Sequence, residues 1–233
     1  MNTLPILQIT TDAVADTLVA PGTSEETISI FELIASGGWY IMIPLALMSL
    51  VAIYIFAERW MAINKASKED KDFMNRIKDY ISDGKFDAAR SLCHSTNTPI
   101  ARMIDKGIVR IGKPMDDVSA SIENVGKLEI YNLEKGLPVL ATIAGAAPMI
   151  GFLGTVIGMI NTFHAMKISG AGVEISALSG GIMQAMVTTV AGLIIGIIAY
   201  IAYNSLVVRV NKVVNRMETR SIEFIDLLEE PGK

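Results

Sequence analysis

The sequence predicts an all-α membrane protein with three transmembrane helices and long helices extending into the cytoplasm. Two observations carry that expectation. Apolar residues make up 51% of the 233-residue chain and the mean hydropathy is +0.44, more apolar than a soluble domain needs. Charge is also confined to blocks: no Asp, Glu, Lys or Arg falls at 37–57, 136–166 or 175–208. Each of these stretches exceeds the ~20 residues that cross a bilayer as helix.

The basic residues orient the spans. Lys and Arg are absent from residues 1–36, whereas 58–135 carries 14 of the chain's 20 and the tail beyond Val208 carries five, with Lys167 the last. Basic flanks stay in the cytoplasm, so the N-terminus is expected outside and the C-terminus inside. The expected order is an outer N-terminal segment at 1–36, span one at 37–57 and a cytoplasmic helical domain at 58–137. Span two follows at 138–163, a short outer loop at 164–178, span three at 179–207 and a cytoplasmic C-terminal helix at 208–233.

Each element has a local reason. Residues 1–20 have no basic segment ahead of a compact apolar core, so a cleaved signal peptide is not expected. Residues 24–34 (SEETISIFELI) read as an amphipathic interfacial helix, with Ser24 as N-cap, Ile30, Leu33 and Ile34 on one side and Glu25, Ser29 and Glu32 on the other. In the cytoplasmic segment, helical periodicity runs through Phe73, Ile77, Tyr80 and Ile81, stops at Ser82-Asp83-Gly84, and resumes through Phe86, Ala89, Arg90 and Cys93. Thr98-Pro99 opens another helix. The stretch 115–135 contains no proline and is expected to flow as one long helix into span two, with Gly136 and Pro138 at the join.

Spans two and three carry the informative patterns. In 144–163 (AGAAPMIGFLGTVIGMINTF), Ala144, Pro148, Gly151, Thr155, Gly158 and Thr162 recur at helical spacing, and span three repeats the device with Gly181, Ala185, Thr188, Gly192 and Ala199. A small-residue face in lipid admits a second backbone or borders a watery path. Pro148, Gly151, Gly154, Gly158, Gly181 and Gly192 are therefore candidate packing residues. Gln184 and Thr189 add polar groups to span three, although a lone hydroxyl such as that of Thr188 can simply bond its own i−4 carbonyl.

Several chemistries are excluded. Cys93 is the single cysteine, and His94 and His164 are assigned to opposite sides of the membrane, which removes the usual zinc and nucleophile–base pairings. No cofactor is expected. GxxxxGK[ST] is absent, so the chain should not bind nucleotide. The cytoplasmic segment balances 14 basic against 13 acidic residues, which speaks for solvated helices and against a nucleic-acid surface.

The run 147–160 (APMIGFLGTVIGMI) resembles the AP-x-x-GLLGTV-x-GMI signature of the MotA/TolQ/ExbB proton-channel family, closest to ExbB and TolQ. Stretches 84–93, 99–107, 129–137 and 180–192 are similar to it as well, extending the resemblance over roughly residues 28–228. The resemblance implies a bacterial inner-membrane subunit with a periplasmic N-terminus. It implies a homo-oligomeric ring, typically a pentamer, around the single membrane helices of ExbD- or TolR-like partners that supply an intramembrane Asp. Proton flow would then drive work on the outer membrane, through a TonB-like protein in nutrient import or, in TolQ-type systems, in envelope maintenance. No enzymatic activity is implied.

The family's pore-lining threonines carry over onto Thr155 and Thr189, with Gln184 and Thr188 beside them as candidate lining. Many ExbB members have a Glu where this chain has Gln184, and an amide cannot exchange a proton at accessible pH. The residues alone lead to a compatible expectation: with no Asp, Glu, Lys or Arg in any span, a partner must supply the titrating group. Two other classes compete. A secondary transporter would need inverted repeats or broken helices around a substrate site, and a passive scaffold or membrane enzyme would leave the polar stripes idle or need acid–base groups that are missing.

Overall fold

The structure, a computed structural model, describes residues 37–68, 72–169 and 175–229, and among them it is helical with short turns and no strand. The amphipathic helix expected at 24–34, the rest of the N-terminal segment and the middle of the loop after span two lie outside the described residues. Seven helices follow in order: α1 Trp39–Ala66, α2 Phe73–Ser82, α3 Phe86–Thr96, α4 Pro99–Ile108, α5 Met115–Glu134, α6 Leu137–Ser169 and α7 Ile175–Glu229. Three helical stretches, containing α1, α6 and α7, are long and apolar enough to cross a membrane. Trp39 and Trp60 stand 21 positions apart on α1, about 32 Å at 1.5 Å per residue, close to the ~30 Å of a hydrocarbon core.

Two boundaries differ from the sequence expectation. Helix α6 continues through Lys167 to Ser169 and α7 begins at Ile175, so much of the loop expected at 164–178 is helical. No glycine or proline interrupts 163–169, and a helix need not stop where the bilayer does. The second difference lies at the join. The expected continuous helix from Met115 into span two is broken: Lys135 leaves helical conformation (φ −52°, ψ 127°) and Gly136 turns the chain at φ 86°, a conformation that costs little only without a Cβ. The break frees carbonyls at the end of α5, and Arg59 of α1 donates to one of them, Asn132 O, at 3.0 Å.

Helix α7 crosses the membrane border without a break. Its 55 residues extend about 80 Å at 1.5 Å per residue, so well over half lies beyond a ~30 Å core. On this extension Leu206, Val210, Val213, Met217 and Phe224 are buried at three-, four- and seven-residue steps, one face of a helix. They form one core with Phe73, Met74, Ile77, Ile104, Ile108 and Ile122 from α2, α4 and α5. Thr98 caps α4 by accepting from Ala101 N at 3.3 Å, with Pro99 in the first turn, where its missing N–H is harmless.

An ion pair locks this extramembrane core. Arg102 of α4 grips the buried carboxylate of Glu129 on α5 with two bonds, Nε to Oε1 at 2.7 Å and a terminal nitrogen to Oε2 at 2.6 Å. Its other terminal nitrogen donates to Asn97 Oδ1 at 2.8 Å and Asn97 O at 3.2 Å. Asn97 is the left-handed C-cap of α3 (φ 46°), so one guanidinium ties the α3–α4 corner to α5. The Glu129 bond holds the Arg102 pKa above its ordinary value.

Candidate functional site: the seam between α6 and α7

The small residues of spans two and three meet each other. α6 and α7 run antiparallel, with Gly196 against Pro148 and Ala144, Gly192 against Ala147 and Gly151, Ala185 against Gly158, and Gly181 against Thr162. The seam from 144 to 162 is about 27 Å long, nearly the hydrocarbon thickness. Its closest points are backbone on backbone: a methyl group on Gly192 would lie 2.5 Å from Ala147 O and 2.9 Å from Gly151 Cα, and one on Gly151 would lie 2.8 Å from Thr188 O. In lipid, helix association rests on packing of this kind and on interhelical hydrogen bonds. Hence the stripes find their partners inside one chain and leave the outer faces of α1, α6 and α7 to other contacts.

Four threonine hydroxyls lie in or beside the seam, in two kinds of setting. Thr162 and Thr188 are buried; Thr162 donates to Gly158 O at 2.8 Å and Thr188 to Ala185 O at 2.7 Å. Both satisfy carbonyls of their own helix, as a membrane hydroxyl readily does. Thr188 fills the notch left by Gly154, so it sits within the packing and not on an open wall. Thr155 and Thr189 are only partly covered. Thr155 donates to Phe152 O at 2.6 Å, whereas Thr189 reaches across to Gly151 O on the other helix at 3.0 Å. Gly151 and Thr155 are one turn apart on α6, which puts both hydroxyls along the same stretch of the seam.

Gln184 belongs elsewhere. Its amide lies against Gly38, the residue that starts α1, so closely that a Cβ there would collide with the Gln184 nitrogen. Gly38 also has φ 74°, and the pairing of a bare left-handed residue with an amide fastens the start of span one to span three. The sequence-predicted lining residues thus separate into Thr155 and Thr189 at the seam edge, Thr188 inside it, and Gln184 at the α1–α7 contact. Among the packing residues that escaped the sequence reading are Gly38, Gly196 and Ala147, whose carbonyl oxygen meets Gly192. Gly196 could have been found by extending the 185–188–192 stripe one more turn; Gly38 offered no periodic signal. Among the described residues no group of three or more His, Cys, Asp and Glu is placed to hold a metal.

Residues 95–219 match the model of the MotA/TolQ/ExbB proton channel family, which covers the α4–α7 core and the whole seam. The chain belongs to that family. It is similar to an ExbB-like biopolymer transport protein of Synechocystis, 27% identical over 172 residues, 73% of this chain and 68% of that one. An ExbB homolog of Methanothermobacter thermautotrophicus is 32% identical over 136 residues, 58% of this chain and 47% of its own. The Tol-Pal system protein TolQ of Haemophilus influenzae is 42% identical over 86 residues, 36% of this chain and 37% of its own. The chain therefore spans about half, or less, of the last two relatives. Family membership and the three apolar helices make it a multi-pass membrane protein, in a family of channel subunits and not of a known enzyme class.

Proposed function

We propose that this chain is a subunit of a proton-driven motor in a bacterial inner membrane, with spans at 37–57, 138–163 and 179–207, a periplasmic N-terminus and a cytoplasmic C-terminus. Copies assemble as a ring, most simply a pentamer, around the single membrane helix of an ExbD- or TolR-like partner. That helix brings an Asp to Thr155 and Thr189, and its movement does work on the outer membrane through a TonB-like protein. The observation that carries this reading is the division of hydroxyls at the seam. Thr162 and Thr188 are consumed by packing, while Thr155 and Thr189 stay partly open on spans that contain no Asp, Glu, Lys or Arg. Hydroxyls of this kind can orient a carboxylate and ordered water without changing charge. The TolQ relative favours a second reading of the output, envelope maintenance in place of nutrient import, with the same membrane machinery.

The test is the pair Thr155→Val and Thr189→Val, together and singly. Among the described residues the interhelical bond lost is that from Thr189 to Gly151 O, and such bonds average about 0.6 kcal/mol in membranes, too little to undo the seam. Expected is normal assembly with the partner and at least a roughly tenfold loss of proton-gradient-driven output, equivalent to ~1.4 kcal/mol or more. Full output from the double variant would overturn the proposal.

A further inference from the structure

At the cytoplasmic end of the spans, α1 and α7 leave a cleft of about 330 Å³ lined by Ile63, Asn64, Ser67, Val208, Arg209 and Lys212. Its depth is set by chemistry on both walls. Trp60, three residues past the uncharged stretch of α1, lies under the Arg209 guanidinium, 3.7 Å from carbon to ring centroid, and an interfacial Trp beside the first cation after a span marks the headgroup level. Val208, the last residue of the uncharged stretch, is exposed on the rim. Lys212 is exposed and has no ion-pair partner among the described residues. It also lines the adjoining groove of about 430 Å³ with Asn215, Arg216, Thr219 and Arg220. Neither lining contains a carboxylate.

One feature of the cleft would repel an anion: the C-terminus of α1, with its partial negative charge. Arg216 offsets it, donating to Ser67 O at 3.2 Å. What remains is a pair of cations beside an amide and a hydroxyl, at headgroup depth, over an apolar floor of Ile63. We propose that this cleft binds the phosphodiester headgroup of an anionic glycerophospholipid of the cytoplasmic leaflet, with Arg209 and Lys212 as the charged contacts. A free phosphate shares the charge chemistry, but only a lipid uses the apolar rim at Val208. A zwitterionic headgroup carries its own cation and gains less from these two.

The experiment uses the full chain, delipidated in detergent and titrated with dioleoylphosphatidylglycerol or dioleoylphosphatidylcholine under native mass spectrometry. Expected is preferential retention of the anionic phosphatidylglycerol over phosphatidylcholine, weakened by added salt. Lys212→Gln should reduce the preference about fivefold and Arg209→Gln with Lys212→Gln about twenty-five-fold, the scale of one basic side chain each at an anionic surface. Lys212→Arg should retain it. Lys212 is exposed, so the single variant should keep the parent's melting temperature and oligomeric state. Three results would overturn the proposal: unchanged preference in the double variant, displacement of the lipid by equimolar inorganic phosphate, or loss of chain–chain association in Lys212→Gln with lipid preference intact, which would give the cleft to a neighbouring copy.

Discussion

Replacing Gly192 with Ala adds a single methyl group at the point where α6 and α7 are closest. That methyl would meet Ala147 O at 2.5 Å, Gly151 Cα at 2.9 Å and Gly151 N at 3.1 Å, about 1 Å inside ordinary van der Waals separation. All three obstacles are backbone, so no rotamer can yield and the helices must part. Overpacking of this kind costs about 1–3 kcal/mol, and the bond from Thr189 to Gly151 O adds about 0.6 kcal/mol if it is lost. Against this stands a gain of up to about 1 kcal/mol from better helix propensity. The net loss is about 1–2.5 kcal/mol, or a fall of roughly 3–8 °C in melting temperature for a chain of this size. Gly145→Ala is the matched control, since a methyl there meets nothing within 4 Å and should leave stability unchanged or slightly raised. Both are read by thermal unfolding of the purified chain in the same detergent. If the two variants melt alike, the seam is not the close backbone contact described here.

Three further outcomes follow from the core that α7 shares with α2, α4 and α5. Glu129→Ala strands Arg102, whose side chain is 42% exposed; water can reclaim part of the charge, so the loss should fall below that of a fully buried pair, about 2 kcal/mol, and an unchanged melting temperature would refute the lock. Burial, with a smaller contribution from Asp105, pushes the buried Cys93 thiol up to about 12 from 9.0. Folding therefore favours the protonated form: the contribution is full below pH 9 and is lost as pH rises from 9 toward 12, so melting temperature should fall across that window. For the same reason maleimide at pH 8 should spare Cys93 even in inside-out vesicles, whereas the exposed position 82, as Ser82→Cys, should react there and not in intact spheroplasts; equal labelling of the two thiols would refute the burial.

The fold was legible where one physical cause dominates. Uncharged length marked the three spans, because lipid tolerates little else, and the stop at Ser82-Asp83-Gly84 and the start at Thr98-Pro99 coincide with the end of α2 and the N-cap of α4. The glycine stripes were equally visible, but a stripe does not name its partner: only the antiparallel pairing shows that the two faces close on each other. Legibility failed where the cause is non-local. The turn at Gly136 depends on Arg59, 77 positions earlier, approaching the end of α5, and the bond from Arg102 to Glu129 spans 27 positions with no periodic trace in the sequence. The helix resumes at Phe86 as the periodicity indicates, but Phe86 is exposed, since it opens α3 ahead of the Ala89 and Cys93 face that meets the core.

The distribution of rigid and bent joins decides how movement at the seam can travel. α6 and α7 touch through backbone atoms, so neither can slide along the other without losing contact over several turns, and densely packed elements of this kind move as units. α7 then carries on without interruption from the seam into the extramembrane core, where Val210, Val213, Met217 and Phe224 are buried. α1 is tied to the same rod by Arg209 over Trp60 and by Arg216 on Ser67. α6 is joined to α5 through the Lys135–Gly136 turn, the one point on this path where φ lies in the left-handed region. Displacement of the α6–α7 pair is therefore transmitted stiffly along α7, while the angle between α5 and α6 is set by a single glycine and by the hydrogen bond from Arg59 to Asn132 O. A force applied near Thr155 and Thr189 consequently has two unequal routes into the extramembrane helices, and the unbroken one is α7.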